Sequence, residues 1–212
     1  NGSHIESLNS HGVVAVSPSQ TSEISSEDVA RVIDAAQAVS LPSTREIVHV
    51  IPRDFVVDSQ EGIKDPVGMQ GVRLEVETNV IHSASIAMRN ILRCVSQVGV
   101  NVEELVYVGV ADSGSVLTDT EKELGTLLVD IGGGTTSIIA YVEGSPVHSA
   151  VLPIGGRHIT NDLAIGLRAR LEDAEKIKIK LSNEKELLKT KDKKTEEFDV
   201  SEFGLDTPTI PL

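Results

Sequence analysis

The chain has 212 residues and a formal net charge of −13, with 32 acidic against 19 basic side chains and 40% hydrophobic residues. That composition supports a packed core in one or two domains. No apolar run approaches the ~18 residues needed to cross a bilayer, and no basic start followed by an apolar stretch resembles a signal peptide. The single cysteine, Cys94, excludes a disulfide framework and fits a reducing compartment. An acidic chain with three Phe, two Tyr and no Trp lacks the basic, stacking surface that nucleic acid requires.

Residues 1–20 contain a short extended segment, HGVVAV, closed by Ser17-Pro18. A helix follows, capped by Ser25 with Asp28 three residues on and stapled by Ile24 against Val29. Val29, Val32, Ile33, Ala36 and Val39 share its apolar face, and Leu41-Pro42 stops it. Two strands are expected at 45–51 and 54–58, with Pro52 between them demanding an edge or a bulge. Residues 59–71 read as a long glycine-bearing connection. Val72, Leu74, Val76, Thr78 and Val80 then alternate with polar residues, the pattern of a half-buried strand.

A second helix spans about Ala84 to Val98, with Ile86, Ile91, Leu92, Val95 and Val98 as its stripe and Gly99 as its left-handed stop. Cys94 on this helix reads as a small buried hydrophobe. Residues 20–103 thus form a helix, strands, helix unit without a chemical motif. The six histidines have no ligand spacing, so no structural metal is expected. LVYVGV (105–110) reads as a strand covered on both faces, followed by a short helix in ADSGSVLT and an exposed DTEKELG. Three strands at 127–131, 135–142 and 146–154 make an antiparallel meander. Gly155-Gly156 opens a helix through Ile159, Leu163 and Leu167, and a last helix includes Ala174, Ile177 and Leu181. Leu171 to Glu202 carries eight basic and ten acidic residues. Lys189, Lys191, Lys193 and Lys194 within it, flanked by Asp192, Glu196 and Glu197, read as a solvated surface and not a lipid or RNA patch.

The chemically informative stretch is LLVDIGGGTTSIIAY (127–141). A dinucleotide fingerprint fails because Ser137 stands at the third glycine position and β-branched residues follow where a helix is needed. A P-loop fails for want of the Gly-Lys-Ser/Thr end. A ligand-free hairpin turn needs at most two glycines. A phosphate cradle needs what is present: glycines whose N–H groups converge without Cβ interference, Thr135 and Thr136 as hydroxyl donors, and Asp130 for a hydrated Mg²⁺.

This loop resembles the second phosphate loop of the actin, Hsp70 and sugar-kinase ATPase superfamily. More widely, GSHIESLNSHGVVAV (2–16), VHVIPRDFVVDSQEGIKDPVGMQGVRLEVE (48–77) and PIGGRHITNDLA (153–164) resemble the FtsA family of actin-like bacterial cell-division proteins. The resemblance implies an incomplete actin-like (ribonuclease H-like) α/β ATPase fold with an FtsA-type insertion. Residues 1–103 would be the SHS2-like insertion, 104–125 the return to the first actin-like domain, and 126–212 the start of the second. It further implies that Gly132, Gly133, Gly134, Thr135 and Thr136 hold the phosphates of ATP, with Asp130 facing the water shell of Mg²⁺. Glu175 and Lys178, three apart on one helical face, would contact ribose or base, or form an ordinary surface ion pair.

The implied function is a polymerising scaffold, not an enzyme, that assembles with itself through the insertion and with FtsZ and other division proteins. It would lie in the cytoplasm, at the inner face of the cell membrane at the division site. A kinase for sugars or small molecules and a pilus-assembly scaffold are the alternatives within the superfamily. The first phosphate loop, Asp-x-Gly-Ser/Thr, the adenosine Gly-Gly motif, the amphipathic membrane helix and the FtsZ-holding subdomain have no counterpart in these residues, so half a nucleotide site and an internal fragment are expected.

Overall fold

A computed structural model describes residues 2–16, 23–183, 197–201 and 209–211; the lysine cluster at 189–194 and Ser17-Pro18 lie outside them. The described chain divides into two units, Asn1–Ile131 with Thr135–Pro153, and Gly132–Gly134 with Ile154–Leu212.

The first unit is built on a seven-stranded antiparallel sheet. Its strands are β1 (Glu6–Ala15), β2 (Arg45–Val57), β3 (Gln60–Ile63), β4 (Arg73–Ala84), β5 (Thr126–Ile131), β6 (Thr136–Val142) and β7 (Ser145–Leu152). They are arranged in the order β3-β2-β4-β1-β7-β6-β5. Where β1 meets β7, Glu6 pairs with Ala150, and Ser7 Oγ both donates to the Ser149 carbonyl (3.0 Å) and accepts its N–H (2.7 Å).

Helix α1 (Ser26–Gln37) forms as its caps demand: Ser25 Oγ accepts the Asp28 N–H, and the Asp28 carboxylate accepts the Ser25 N–H at 2.9 Å. Asp28 also pairs with Arg31, which accounts for a nearly fully buried carboxylate. Val32 and Ala36 pack into a core with Ile24, Phe55, Val57, Leu74 and Val76. The helix lies directly on β1 at Gly12, where a Cβ would stand 2.3 Å from the Val32 carbonyl oxygen and 2.8 Å from the Ala36 nitrogen.

The expected 45–51 and 54–58 strands are one strand, β2, and Pro52 sits at one of its two register shifts. The long connection at 59–71 is corrected as well. Asp58 and Ser59, at φ 47° and 76°, make a tight turn into β3, which pairs back on β2. This hairpin was hidden because the left-handed positions carry no glycine. Strand β4 alternates through Glu77 and is then buried on both faces from Thr78 to Ser83, while Val72 lies outside it and exposed.

Helices α2 (Ser85–Gln97), α3 (Val108–Val116) and α4 (Asp119–Leu124) complete the unit. The expected stripe of α2 is not a buried face: Ile86 is 74% and Val98 76% exposed. Cys94 is exposed too, contrary to the buried hydrophobe expected. The strand anticipated at 105–110 is absent. Its second half begins α3, because a six-residue apolar run reads equally as strand or buried helix start. Tyr107 instead enters a second core with Ile5, Ile81, Ile139, Tyr141 and Val151. The Ser113 and Tyr141 hydroxyls meet at 2.6 Å beneath the meander. DTEKELG is partly the short helix α4, boxed by Thr118 and Glu121.

The second unit contains α5 (Gly156–Leu167), α6 (Leu171–Asn183) and a pair of short strands, β8 (Glu197–Asp199) and β9 (Thr209–Pro211). Ile177 and Val200 form its small core with Leu167 and Leu181.

Two predictions follow from the first unit. Gly12→Ala forces the helix off the strand and should cost about 1–3 kcal/mol, read as a lower denaturation midpoint at unchanged m. The second concerns two histidines bonded to obligate donors. Tyr107 N–H donates to His49 Nε2 at 2.9 Å, and Arg45 Nε–H donates to His82 Nδ1 at 2.8 Å, so both rings must be neutral. Burial lowers both pKa values from 6.5, aided at His82 by the Arg45 charge and opposed by Glu104 at His49 and Glu6 at His82. With folded values below unfolded ones, the unfolded chain binds more protons as acid is added. Stability is therefore held above pH 6.5 and declines as pH falls through and below it. The double variant His49→Gln, His82→Gln, which keeps an acceptor, should flatten this slope in pH-dependent denaturation.

Candidate functional site

The glycine loop begins where β5 ends. Asp130, half-buried, is the penultimate residue of that strand and stands opposite Ser137 of β6. Thr136 opens β6, and Thr135 precedes it. These three residues belong to the first unit, and Gly132, Gly133 and Gly134 to the second.

Within the second unit the loop is anchored by α5. Gly156 N–H donates to the Gly132 carbonyl at 2.9 Å, and Arg157 N–H donates to the Gly133 carbonyl at 2.8 Å. His158 closes the same helix end by accepting the Gly155 N–H on Nδ1 at 3.1 Å. The first amides of α5 are therefore committed to the loop and its flank, and are not a free anion site. The arrangement ties down the carbonyl side of Gly132 and Gly133.

Neither a positive φ nor packing within the protein requires glycine at Gly133 or Gly134. None of the three has a positive φ, and a Cβ built on Gly133 or Gly134 meets nothing within 4 Å. Glycines at two positions that do not need them leave open space along the backbone at Gly133 and Gly134, which is the condition for a bound group to approach main-chain N–H groups.

Beside the loop, a cleft of about 530 Å³ is lined by Gly133, Gly156, Arg157, Thr160, Glu175 and Lys178, with Asn161, Leu171 and Glu172 completing its wall. Glu175 and Lys178 are one turn apart on α6, and Thr160 faces them from α5. Lys178 Nζ reaches Glu175 Oε2 at 2.6 Å, Thr160 Oγ1 at 2.9 Å and the Gly156 carbonyl at 3.3 Å. The Thr160 hydroxyl donates to Glu175 Oε2. The ion pair to Lys178, then the Thr160 hydrogen bond, hold the Glu175 carboxyl below the usual carboxylate range. Lys178 thus directs all three donors inward, while Glu175 keeps its second oxygen for an incoming hydroxyl.

The structure brings Gly133, Glu175 and Lys178 to one cleft, which sequence spacing had left undecided. Sequence reasoning missed Thr160 and Arg157. Thr160 had a signal: Gly156, Thr160 and Ala164 recur at i+4 on α5, a small-residue stripe suited to close packing against α6.

Comparison with known proteins matches two segments of the chain. The family model "SHS2 domain inserted in FTSA" matches residues 2–82, and "Cell division protein FtsA" matches residues 127–208. The chain belongs to the FtsA family. Among FtsA-family relatives, the cell division protein FtsA of Pseudomonas aeruginosa is 48% identical over 179 residues, covering 84% of this chain and 42% of the relative. That of Borreliella burgdorferi is 46% identical over 178 residues (84% and 43%), and that of Bacillus subtilis 44% over 183 (86% and 41%). The chain therefore spans about two fifths of the length of these FtsA relatives. A solved structure of a PilM-PilN type IV pilus biogenesis complex superposes with a TM-score of 0.51 at 18% identity, covering 81% of this chain and 47% of that one. That likeness concerns the fold alone. Together with the FtsA models it identifies an incomplete actin-like α/β fold carrying an SHS2 insertion. No helix among the described residues is long and apolar enough to cross a membrane.

The Thr160 hydroxyl is buried between two helices and shared by both charges of the ion pair. Thr160→Val should cost about 1–2 kcal/mol, and Thr160→Ser should restore most of it, both measured by chemical denaturation.

Proposed function

We propose that this chain supplies the second phosphate loop and one wall of the nucleotide cleft of an actin-like, ATP-binding cell-division scaffold. The observation that carries the reading is the glycine loop: Gly133 and Gly134 are free of any protein contact or backbone strain that would demand glycine. The loop is held from behind by two hydrogen bonds from α5. The donor set fits ATP with Mg²⁺. Main-chain N–H groups at Gly132, Gly133 and Gly134 and the hydroxyls of Thr135 and Thr136 suit phosphate oxygens, and the Asp130 carboxylate suits a hydrated Mg²⁺. Glu175 offers an oxygen to a ribose hydroxyl, with Lys178 as its positioner.

On this reading residues 1–103 are the SHS2-type insertion, 104–125 the return to the first actin-like domain, and 126–212 the start of the second. The positions of the two matching family models support it. The insertion carries no chemical motif, which suits a surface for self-association and for other division proteins. FtsZ is the proposed polymer partner of the whole protein, at the cytoplasmic face of the membrane. The nucleotide acts as a switch on subunit contacts, and any hydrolysis by the intact protein is slow.

Because the first phosphate loop and the adenosine motif are not in this sequence, the 212-residue chain alone should bind ATP weakly or undetectably by calorimetry; a micromolar or tighter constant would overturn the half-site reading. In the intact gene product, Asp130→Ala should reduce affinity for Mg-ATP more than for ATP in the presence of a chelator. Unchanged Mg-ATP affinity would mean that the loop is wrongly assigned.

A further inference from the structure

We infer that Arg157 is a phosphate-contacting side chain of this cleft, an inference that rests on the nucleotide reading above and deepens it. Three observations converge. First, Arg157 is pinned to the glycine loop through its own backbone, by the 2.8 Å hydrogen bond from its N–H to the Gly133 carbonyl. Its backbone is therefore fixed to the carbonyl side of Gly133, and Arg157 lines the same cleft as Gly133.

Second, the cleft wall holds two cations, and only one is available. Lys178 commits its three N–H groups to Glu175, Thr160 and the Gly156 carbonyl. Arg157 has no side-chain hydrogen bond or ion pair among the described residues, whereas Arg45, Arg53, Arg73, Arg89 and Arg170 each pair with a carboxylate. Third, the local charge calls for such a group. Glu172 and Glu175 stand in the same wall, on a chain of net charge −13. A polyphosphate entering it meets repulsion that glycine amides offset only with partial charges. A guanidinium supplies a full charge and a planar fork that grips two phosphate oxygens at once. Arg157 therefore makes the cleft respond to the number of phosphates on the nucleotide, whereas Glu175 responds to the sugar.

The test is nucleotide binding by the intact gene product, wild type against Arg157→Ala and Arg157→Lys, titrated with ATP, ADP and adenosine at low and high salt. Arg157 is exposed and has no side-chain partner among the described residues, so both variants should fold, which circular dichroism checks. Arg157→Ala should weaken ATP about tenfold or more, weaken ADP less, leave adenosine unchanged, and reduce the salt dependence of ATP binding; Arg157→Lys should recover part of the loss. Wild-type ATP binding that Arg157→Ala leaves unaltered would overturn this inference and leave the nucleotide reading standing. An equal loss for ATP and adenosine would also overturn it, since that marks a structural role. Absence of nucleotide binding by the intact wild type would overturn both.

Discussion

The two hydrogen bonds from the first amides of α5 to the carbonyls of Gly132 and Gly133 are the constraint on which the site depends. A run of three glycines is the most flexible backbone a chain can present, and ordering it costs more conformational entropy than ordering any other sequence. Those two bonds offset part of that cost. They also give the loop a direction, because carbonyls engaged on one side leave the glycine edge open on the other. The helix end consequently acts as an anchor for the loop and not as an anion site in its own right.

The same end of α5 organises the side chains around it. Thr160, one turn on, is small enough for α6 to approach and polar enough to bond both Glu175 and Lys178. The ion pair is thereby held in one geometry, which an exposed pair on a single helix rarely achieves. Lys178 is turned inward by this network, and the accessible positive charge passes to Arg157. Charge in the cleft is thus arranged by which donors are already spent.

In the first unit the organising feature is steric. Gly12 lets the backbone of α1 rest on β1, which brings Val32 and Ala36 into the core beside Leu74 and Val76. Polar residues on these strands are served by specific partners: buried Asn79 by the Asn9 side chain, buried His82 by Arg45, and half-buried His49 by the Tyr107 amide. The apolar residues of α2 are a different case, since Ile86, Ile91 and Val98 stay exposed among the described residues. Helical periodicity reports that a face is apolar; it does not say what covers it.

Much of this was legible in the linear chain because it rests on local rules. The Ser25–Asp28 box, the left-handed Gly99 and the β5-β6-β7 meander each follow from a few neighbouring residues. So does the placing of the Gly132-Gly133-Gly134 loop between β5 and β6. What sequence left hidden depends on residues far apart. The run 105–110 is apolar enough for a strand, but Tyr107 is claimed by His49 and the chain turns helical after it. The turn at Asp58-Ser59 lacks glycine, and β2 supplies the ladder that makes residues 60–63 a strand. Sequence by itself determined the family and marked the glycine loop, because these are written in adjacent residues. Only the tertiary structure decided that Glu175 and Lys178 share a cleft with Gly133, and that Lys178 is spent while Arg157 has no side-chain partner among the described residues, because hydrogen-bond partners are assigned by packing.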